Sequence, residues 1–185
     1  MIIYTTAKTD EEIQQILELQ KSNLPQNLTD EQKNSQGFVT VLHNFETLLK
    51  MNNTEQSIIV KDNDKVIGYL LAMTTQSKNH IPVLVPMFEA FDTVLYNNKK
   101  IAAYNYIIVG QVCIAEGYRG KGILDKCYQA YKTHFKKNYD FAITEILDTN
   151  TRSLQAHKRI GFRTIHEYKD EKGNNWVIVL WDWNN

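Results

Sequence analysis

The chain has 185 residues, with Lys plus Arg at 21 and Asp plus Glu at 21, so its formal net charge is zero. At 43% hydrophobic and 23% charged it has the composition of one soluble globular domain, and the balance of charge gives no reason to expect a nucleic acid or an anionic membrane as partner. Residues 1–10 lack the basic-then-apolar order of a signal peptide, no apolar run is long enough to span a bilayer, and Cys113 and Cys127 make no disulfide framework. These features point to a reducing, cytoplasmic location.

In chain order, the β-branched run at 2–5 predicts an opening strand. Thr9 or Asp10 can cap a helix whose apolar positions Ile13, Ile16 and Leu17 repeat at helical spacing. Pro25 and Asn27 break that pattern, Thr29-Asp30-Glu31 begins a second helix, and 38–51 forms a third segment with Val41, Leu42, Phe45, Leu48 and Leu49 on its apolar face. Residues 57–61 and 65–74 read as strands joined by the turn Asp62-Asn63-Asp64. The aromatic stretch 82–96, with Met87, Phe88 and Phe91 at helical spacing, predicts a helix inserted between strands, near 80–100. A buried strand follows at 104–114, then a Gly-rich loop at 116–121 and an amphipathic helix at 124–138 carrying Leu124, Cys127, Tyr128, Tyr131 and Phe135 on one face. Residues 141–147 form a further strand, 151–160 a short helix ended by Gly161, and 162–168 with 176–183 a closing hairpin. Strand–helix–strand units need crossovers and favour parallel pairing, whereas the flanking hairpins are antiparallel, so a mixed α/β sheet is expected.

The most informative junction is Arg119-Gly120-Lys121-Gly122-Ile123, between a buried strand and an amphipathic helix. The first turn of a helix leaves N–H groups unpaired at its positive end, glycines let the backbone approach an anion, and Arg119 and Lys121 add charge. The spacing fits neither a Walker loop nor a dinucleotide fingerprint. By itself the segment is either a pyrophosphate cradle or an ordinary basic turn.

Val112-Cys113-Ile114 followed by Glu116-Gly117-Tyr118-Arg119-Gly120-Lys121-Gly122-Ile123 resembles the acyl-CoA motif of the GNAT superfamily of N-acetyltransferases, which is Arg or Gln, two residues, Gly, one residue, then Gly or Ala. Arg119 and Gly122 fit, and Leu124 stands where the motif has a small residue. Asn150, Arg152-Ser153 and His157-Lys158-Arg159-Ile160-Gly161-Phe162 resemble the later motif of the same family, in the right order along the chain. The resemblance implies a mixed, mostly antiparallel sheet of about seven strands, with splayed central strands and helices on both faces. It implies a single acetyltransferase domain over 1–185 that moves an acetyl group from acetyl-CoA to a primary amine of a small molecule, amino acid or peptide. Main-chain groups of Val112, Cys113 and Ile114 would meet the pantetheine, backbone N–H groups of Arg119, Gly120, Lys121, Gly122, Ile123 and Leu124 the pyrophosphate, and Asn150 and Ser153 the thiol end.

The family's frequent tyrosine acid corresponds in position to His157, which is either a proton donor to the leaving thiolate or a residue filling a helix face. Glu145, near a strand end beside the expected splay, is a candidate base or a satisfied strand-end carboxylate. A CoA-binding regulatory or interaction module without chemistry is the alternative, motivated by Leu124 and by the missing tyrosine. Cys113 and Cys127 read as packing residues, and the histidines at 43, 80, 134, 157 and 166 have no metal-ligand spacing, so no metal is expected. Trp181 and Trp183 share a strand face that belongs either to the interior or to a homodimer surface, and the aromatic insertion belongs either to the core or to the border of the acceptor pocket.

Overall fold

The computed structural model describes residues 1–79 and 81–184, with the side chains of 34–36, 79 and 83 outside the description. His80, one of the five histidines, therefore lies outside the described residues. Strand β1 (Ile2–Thr6) leads to helix α1 (Asp10–Ser22), which begins in a capping box: the Thr9 hydroxyl accepts from Glu12 N–H while the Glu12 carboxylate accepts from Thr9 N–H. Helix α2 (Asp30–Gln36) has the same device at Thr29 and Gln32. Helix α3 (Phe45–Thr54) starts at its Asn44 cap, seven residues later than the apolar pattern from Phe38 suggested, because 38–44 is irregular chain. Strands β2 (Ile58–Asp62) and β3 (Lys65–Met73) form the expected hairpin. Helix α4 (Val85–Thr93) and the two-residue strands β4 (Leu95–Tyr96) and β5 (Lys99–Lys100) make up the insertion. Strand β6 (Tyr106–Ile114), helix α5 (Ile123–Phe135), strand β7 (Phe141–Leu147), helix α6 (Thr151–Ile160) and the hairpin of β8 (Arg163–Lys169) with β9 (Asn175–Asp182) complete the chain.

Seven strands form one sheet in the order β1-β2-β3-β6-β7-β9-β8. Among the described strand pairs only β6 and β7 are parallel, as the crossover through α5 demands. One face of the sheet is covered by α1, α3 and α4 through Ile13, Ile16, Leu48, Met51, Phe88 and Phe91. The other is covered by α5 through Cys127, Tyr128, Tyr131 and Phe135, the stripe that sets its amphipathic spacing. Trp181 and Trp183 are 6% and 9% exposed and pack in this second core, so the chain's own fold covers the face that could have met another copy.

The parallel pair is short. β6 and β7 match only from Tyr106 opposite Phe141 to Ile108 opposite Ile143, although both strands continue beyond that point. On its other side β6 stays paired with β3, through a bulge at Gly110 where the register shifts between Leu71 and Ala72. The apex of the resulting gap is closed by a side chain, with Thr144 Oγ1 donating to the Val109 carbonyl at 2.8 Å. The insertion's aromatics lie at the opposite, zipped end: Phe91 packs edge-on to Tyr106, and Tyr104 and Tyr96 pack on Phe141. They belong to the core there and do not border the gap, because the parallel register fixes Tyr106 and Phe141 at the closed end. Replacing Thr144 by the isosteric Val leaves the buried Val109 carbonyl without that donor, and chemical denaturation is expected to read a loss of about 1–3 kcal/mol.

Candidate active site

Beyond Ile108 the edge of β6 that faces β7 has no ladder partner from β7. The Ala115 N–H donates to Ile67 O on the β3 side at 2.8 Å. Alternation along an antiparallel ladder then turns Cys113 and Gln111 toward β3, and the peptide groups of Val112 and Ile114 toward the gap. Of the three residues expected to meet pantetheine, Val112 and Ile114 thus present main-chain groups to the gap. Cys113 contributes cavity wall.

A cavity of about 340 Å³ opens at this gap. Val112, Cys113, Ile114, Arg119, Gly120, Gly122, Ile123, Leu124, Asn150, Ser153 and His157 all line it, whereas Lys121 does not. Lys121 is exposed, with its ammonium 5.7 Å from the Tyr118 ring. Gly122, with φ 73°, is the N-cap of helix α5 and offers no capping side chain to the first-turn N–H groups, and the first-turn residues Ile123 and Leu124 line the cavity. A Cβ at Gly122 would meet no protein atom within 4 Å, so the open space beside it is available to a ligand. Leu124, the departure from the motif, is a half-buried lining residue packed against the α5 core. The helix still starts at Ile123.

Arg119 does not simply project toward a phosphate. Its Nε donates to Ile114 O at 2.7 Å and its Nη2 to Asn23 Oδ1, joining the end of β6 to the C-terminal cap of α1. Asn150 caps α6 by accepting from Ser153 N–H at 3.3 Å, and donates from Nδ2 to Phe38 O at 3.1 Å. Asn23, Phe38 and Val39 therefore also line the cavity. No sequence pattern marks them, because they come from the part of the chain without motif signal and reach the site only through the packing of α1 and the 37–44 segment.

His157 is 2% exposed, and burial pushes its pKa down to about 4. Its Nδ1 lies 2.8 Å from the Ser153 carbonyl, which can only accept, so Nδ1 carries the proton and Nε2 accepts from the Tyr128 hydroxyl at 2.6 Å. The imidazole packs edge-on to Tyr128 and Phe162. Burial disfavours the charged ring, and in the neutral ring the one N–H is committed to the Ser153 carbonyl.

Glu145 lies on the opposite face of the sheet from His157 and does not line the cavity. The parallel register carries it two residues past Ile143, level with the Gly110 bulge where the gap begins. Burial raises its pKa to about 7, while a hydrogen bond from the Tyr168 hydroxyl at 2.5 Å pulls it back down. On the same face a neutral network sits beside the bulge. Gln111 Oε1 accepts from Gln20 Nε2 at 2.6 Å and from the Tyr69 hydroxyl at 2.5 Å, and Gln111 Nε2 donates to Val41 O at 2.8 Å. His43 joins it through Gln20, and burial holds its pKa near 4. Cys113 is buried with its thiol pushed up to about 11, which removes it as a thiolate nucleophile near neutral pH.

A sheet opened between two parallel strands, with an uncapped helix N-terminus at the mouth of the opening, is the construction of an acyl-CoA-dependent acyltransferase. The chain belongs to the acetyltransferase (GNAT) family, whose model matches residues 13–162. Among solved structures it is similar to the NatC complex bound to Gag peptide and CoA, at 14% identity over 98% of each chain with a TM-score of 0.65. It is also similar to Arabidopsis thaliana NAA60 in complex with acetyl-CoA, at 12% identity over 98% of this chain and 99% of that one, with a TM-score of 0.64. The ribosomal-protein-S18-alanine N-acetyltransferase of Escherichia coli matches at 9% identity over 98% of this chain and 94% of its own, with a TM-score of 0.62. At these identities the likeness is one of fold. No curated protein matches the sequence. Because Gly122 is left-handed, Gly122→Ala adds about 1–2 kcal/mol of backbone strain and places a methyl group in the cavity. Calorimetric titration of CoA is expected to show binding about tenfold weaker or worse, a factor that corresponds to about 1.4 kcal/mol.

Proposed function

We propose that the protein transfers an acetyl group from acetyl-CoA to a primary amine by direct attack, with Glu145 as the proton acceptor. The observation that carries this reading is the gap between β6 and β7: main-chain groups of Val112 and Ile114 face it, and the first turn of α5 stands at its outer end. In this reading the diphosphate lies on the amides from Arg119 to Leu124, and the thiol arm runs inward past Asn150 and Ser153. A gap-facing N–H of β6 stabilises the oxyanion as the amine adds to the thioester carbonyl.

The amine approaches from the face that carries α1 and α3, where Glu145 stands level with the start of the gap. A carboxylate poised near 7 is matched to taking a proton from an ammonium at neutral pH, and it favours turnover over a purely regulatory role. The thiolate of CoA is a competent leaving group, so its protonation needs no dedicated strong acid. His157, neutral and wedged between Tyr128 and Ser153, then positions α6 beside the cavity.

Release of CoA thiol in the presence of a panel of amines and peptide N-termini tests the activity; confirmed acetyl-CoA binding with no release across the panel would overturn it in favour of a binding module. Burial raises the Glu145 pKa to about 7, so the active, ionised base is lost as pH falls through that value. The acceptor kcat/KM is expected to rise with pH and level off above an inflection near 7. Glu145→Gln should lower the plateau by about 10²–10⁴-fold and abolish that inflection. Tyr168→Phe removes the hydrogen bond that favours the carboxylate and should move the inflection to higher pH, read from the same profile.

A further inference from the structure

Beyond the point where β6 and β7 stop pairing, their outer ends are tied together by another route, through the irregular strap 37–44 that joins α2 to α3. At the end of β6 the Ile114 carbonyl accepts from Arg119 Nε at 2.7 Å, and Arg119 Nη2 donates to Asn23 Oδ1. The Asn23 carbonyl accepts from Val39 N–H at 3.1 Å. The Phe38 carbonyl accepts from Asn150 Nδ2 at 3.1 Å. The Asn150 N–H then donates to the carbonyl of Leu147, the last residue of β7, at 2.9 Å. These hydrogen bonds run without a break from one splayed strand to the other.

The middle of this span is a single peptide group. The Phe38 carbonyl and the Val39 N–H belong to the same planar trans amide, so they point in opposite directions, one to the β7 side and one to the β6 side. Gly37, with φ 75°, leads into that amide, and a Cβ on it would stand 3.0 Å from Asn150 Oδ1. Asn23 and Asn150 are 5% and 7% exposed, and both line the cavity. Their amides are engaged within the protein: Asn23 Nδ2 donates to Leu19 O at 2.8 Å, and Asn150 Oδ1 accepts from Ser153 N–H at 3.3 Å. Buried side chains bonded in this way hold the walls of a cavity in place. A slot of main-chain groups needs that support, because its hydrogen bonds to a bound arm weaken steeply once its edges move apart.

We propose that Asn23 and Asn150 are positioning residues of the donor site, which together set the distance between the ends of β6 and β7 and so the fit of the pantetheine arm. The proposal rests on the donor-site reading given above. A span fails as a whole when any link is cut, so the two residues act as one unit although the Phe38–Val39 amide stands between them.

The test is a double-mutant cycle on CoA affinity, measured by calorimetric titration. Asn23→Ala removes the acceptor of the Arg119 guanidinium. Asn150→Ser keeps a neutral helix cap, but its side chain is too short to reach the Phe38 carbonyl. Each single variant is expected to bind CoA about tenfold more weakly, and the double variant about tenfold as well. In steady state the KM for acetyl-CoA is expected to rise while the amine KM stays unchanged. Thermal unfolding accompanies each variant; if Asn23→Ala does not fold, Arg119→Lys, which keeps the charge but loses the fork, takes its place in the cycle. Losses that multiply to about a hundredfold in the double variant would mean two independent ligand contacts and overturn the proposal. So would an unchanged CoA affinity in the single variants, whatever their stability. A folded wild type that does not bind CoA would remove the donor-site reading itself.

Discussion

Two parallel strands that part after three matched residue pairs impose the main constraint on this molecule. Unpaired peptide groups inside a protein are costly, so a sheet does not open without compensation. Here the compensation is local. The Gly110 bulge bends β6 away while keeping it on β3, and Thr144 satisfies the Val109 carbonyl at the apex. Arg119 takes the Ile114 carbonyl at the outer end. What remains between them is a row of main-chain groups suited to an amide-bearing ligand arm, with a helix N-terminus at its mouth that suits an anion. The same divergence that weakens the sheet opens the cavity.

The two faces of the opening differ in polarity. On the α5 face His157, Tyr128 and Phe162 form a buried aromatic cluster in which burial disfavours the charged imidazole. On the α1 face Gln20, His43, Gln111 and Tyr69 form a buried network with no charge, since burial also keeps His43 neutral. Level with the start of the gap stands Glu145, whose pKa burial raises toward neutral pH while the Tyr168 hydroxyl favours its carboxylate. Burial in each case disfavours the charged form, and the hydrogen-bond partner sets how far.

Much of the cavity's lining was legible because it is local in sequence. The loop from Glu116 to Gly122, the amphipathic stripe of α5, Asn150 at its cap and Gly161 at the end of α6 all lie within one stretch whose spacing is dictated by helix geometry and backbone amides. The irregular run 38–44 was not legible, since its apolar residues mimic helical spacing while hydrogen bonds to α1, β6 and α6 hold it as a strap. The surroundings of His157 were not legible for a related reason. Its distance from Asn150 places it correctly on α6, but spacing carries no information about which ring nitrogen holds the proton or how dry the surroundings are.

The sequence by itself determined the order of strands and helices, the crossover that makes β6 and β7 parallel, and the uncapped glycine start of α5, because each depends on residues close together in the chain. Only the tertiary structure decided where those two strands stop pairing, that Asn23 and Phe38 reach the cavity, that Glu145 and His157 lie on opposite faces, and that the aromatic insertion packs at the closed end. Those outcomes depend on contacts between residues far apart in sequence and on the water each contact excludes. Neither periodicity nor spacing records them.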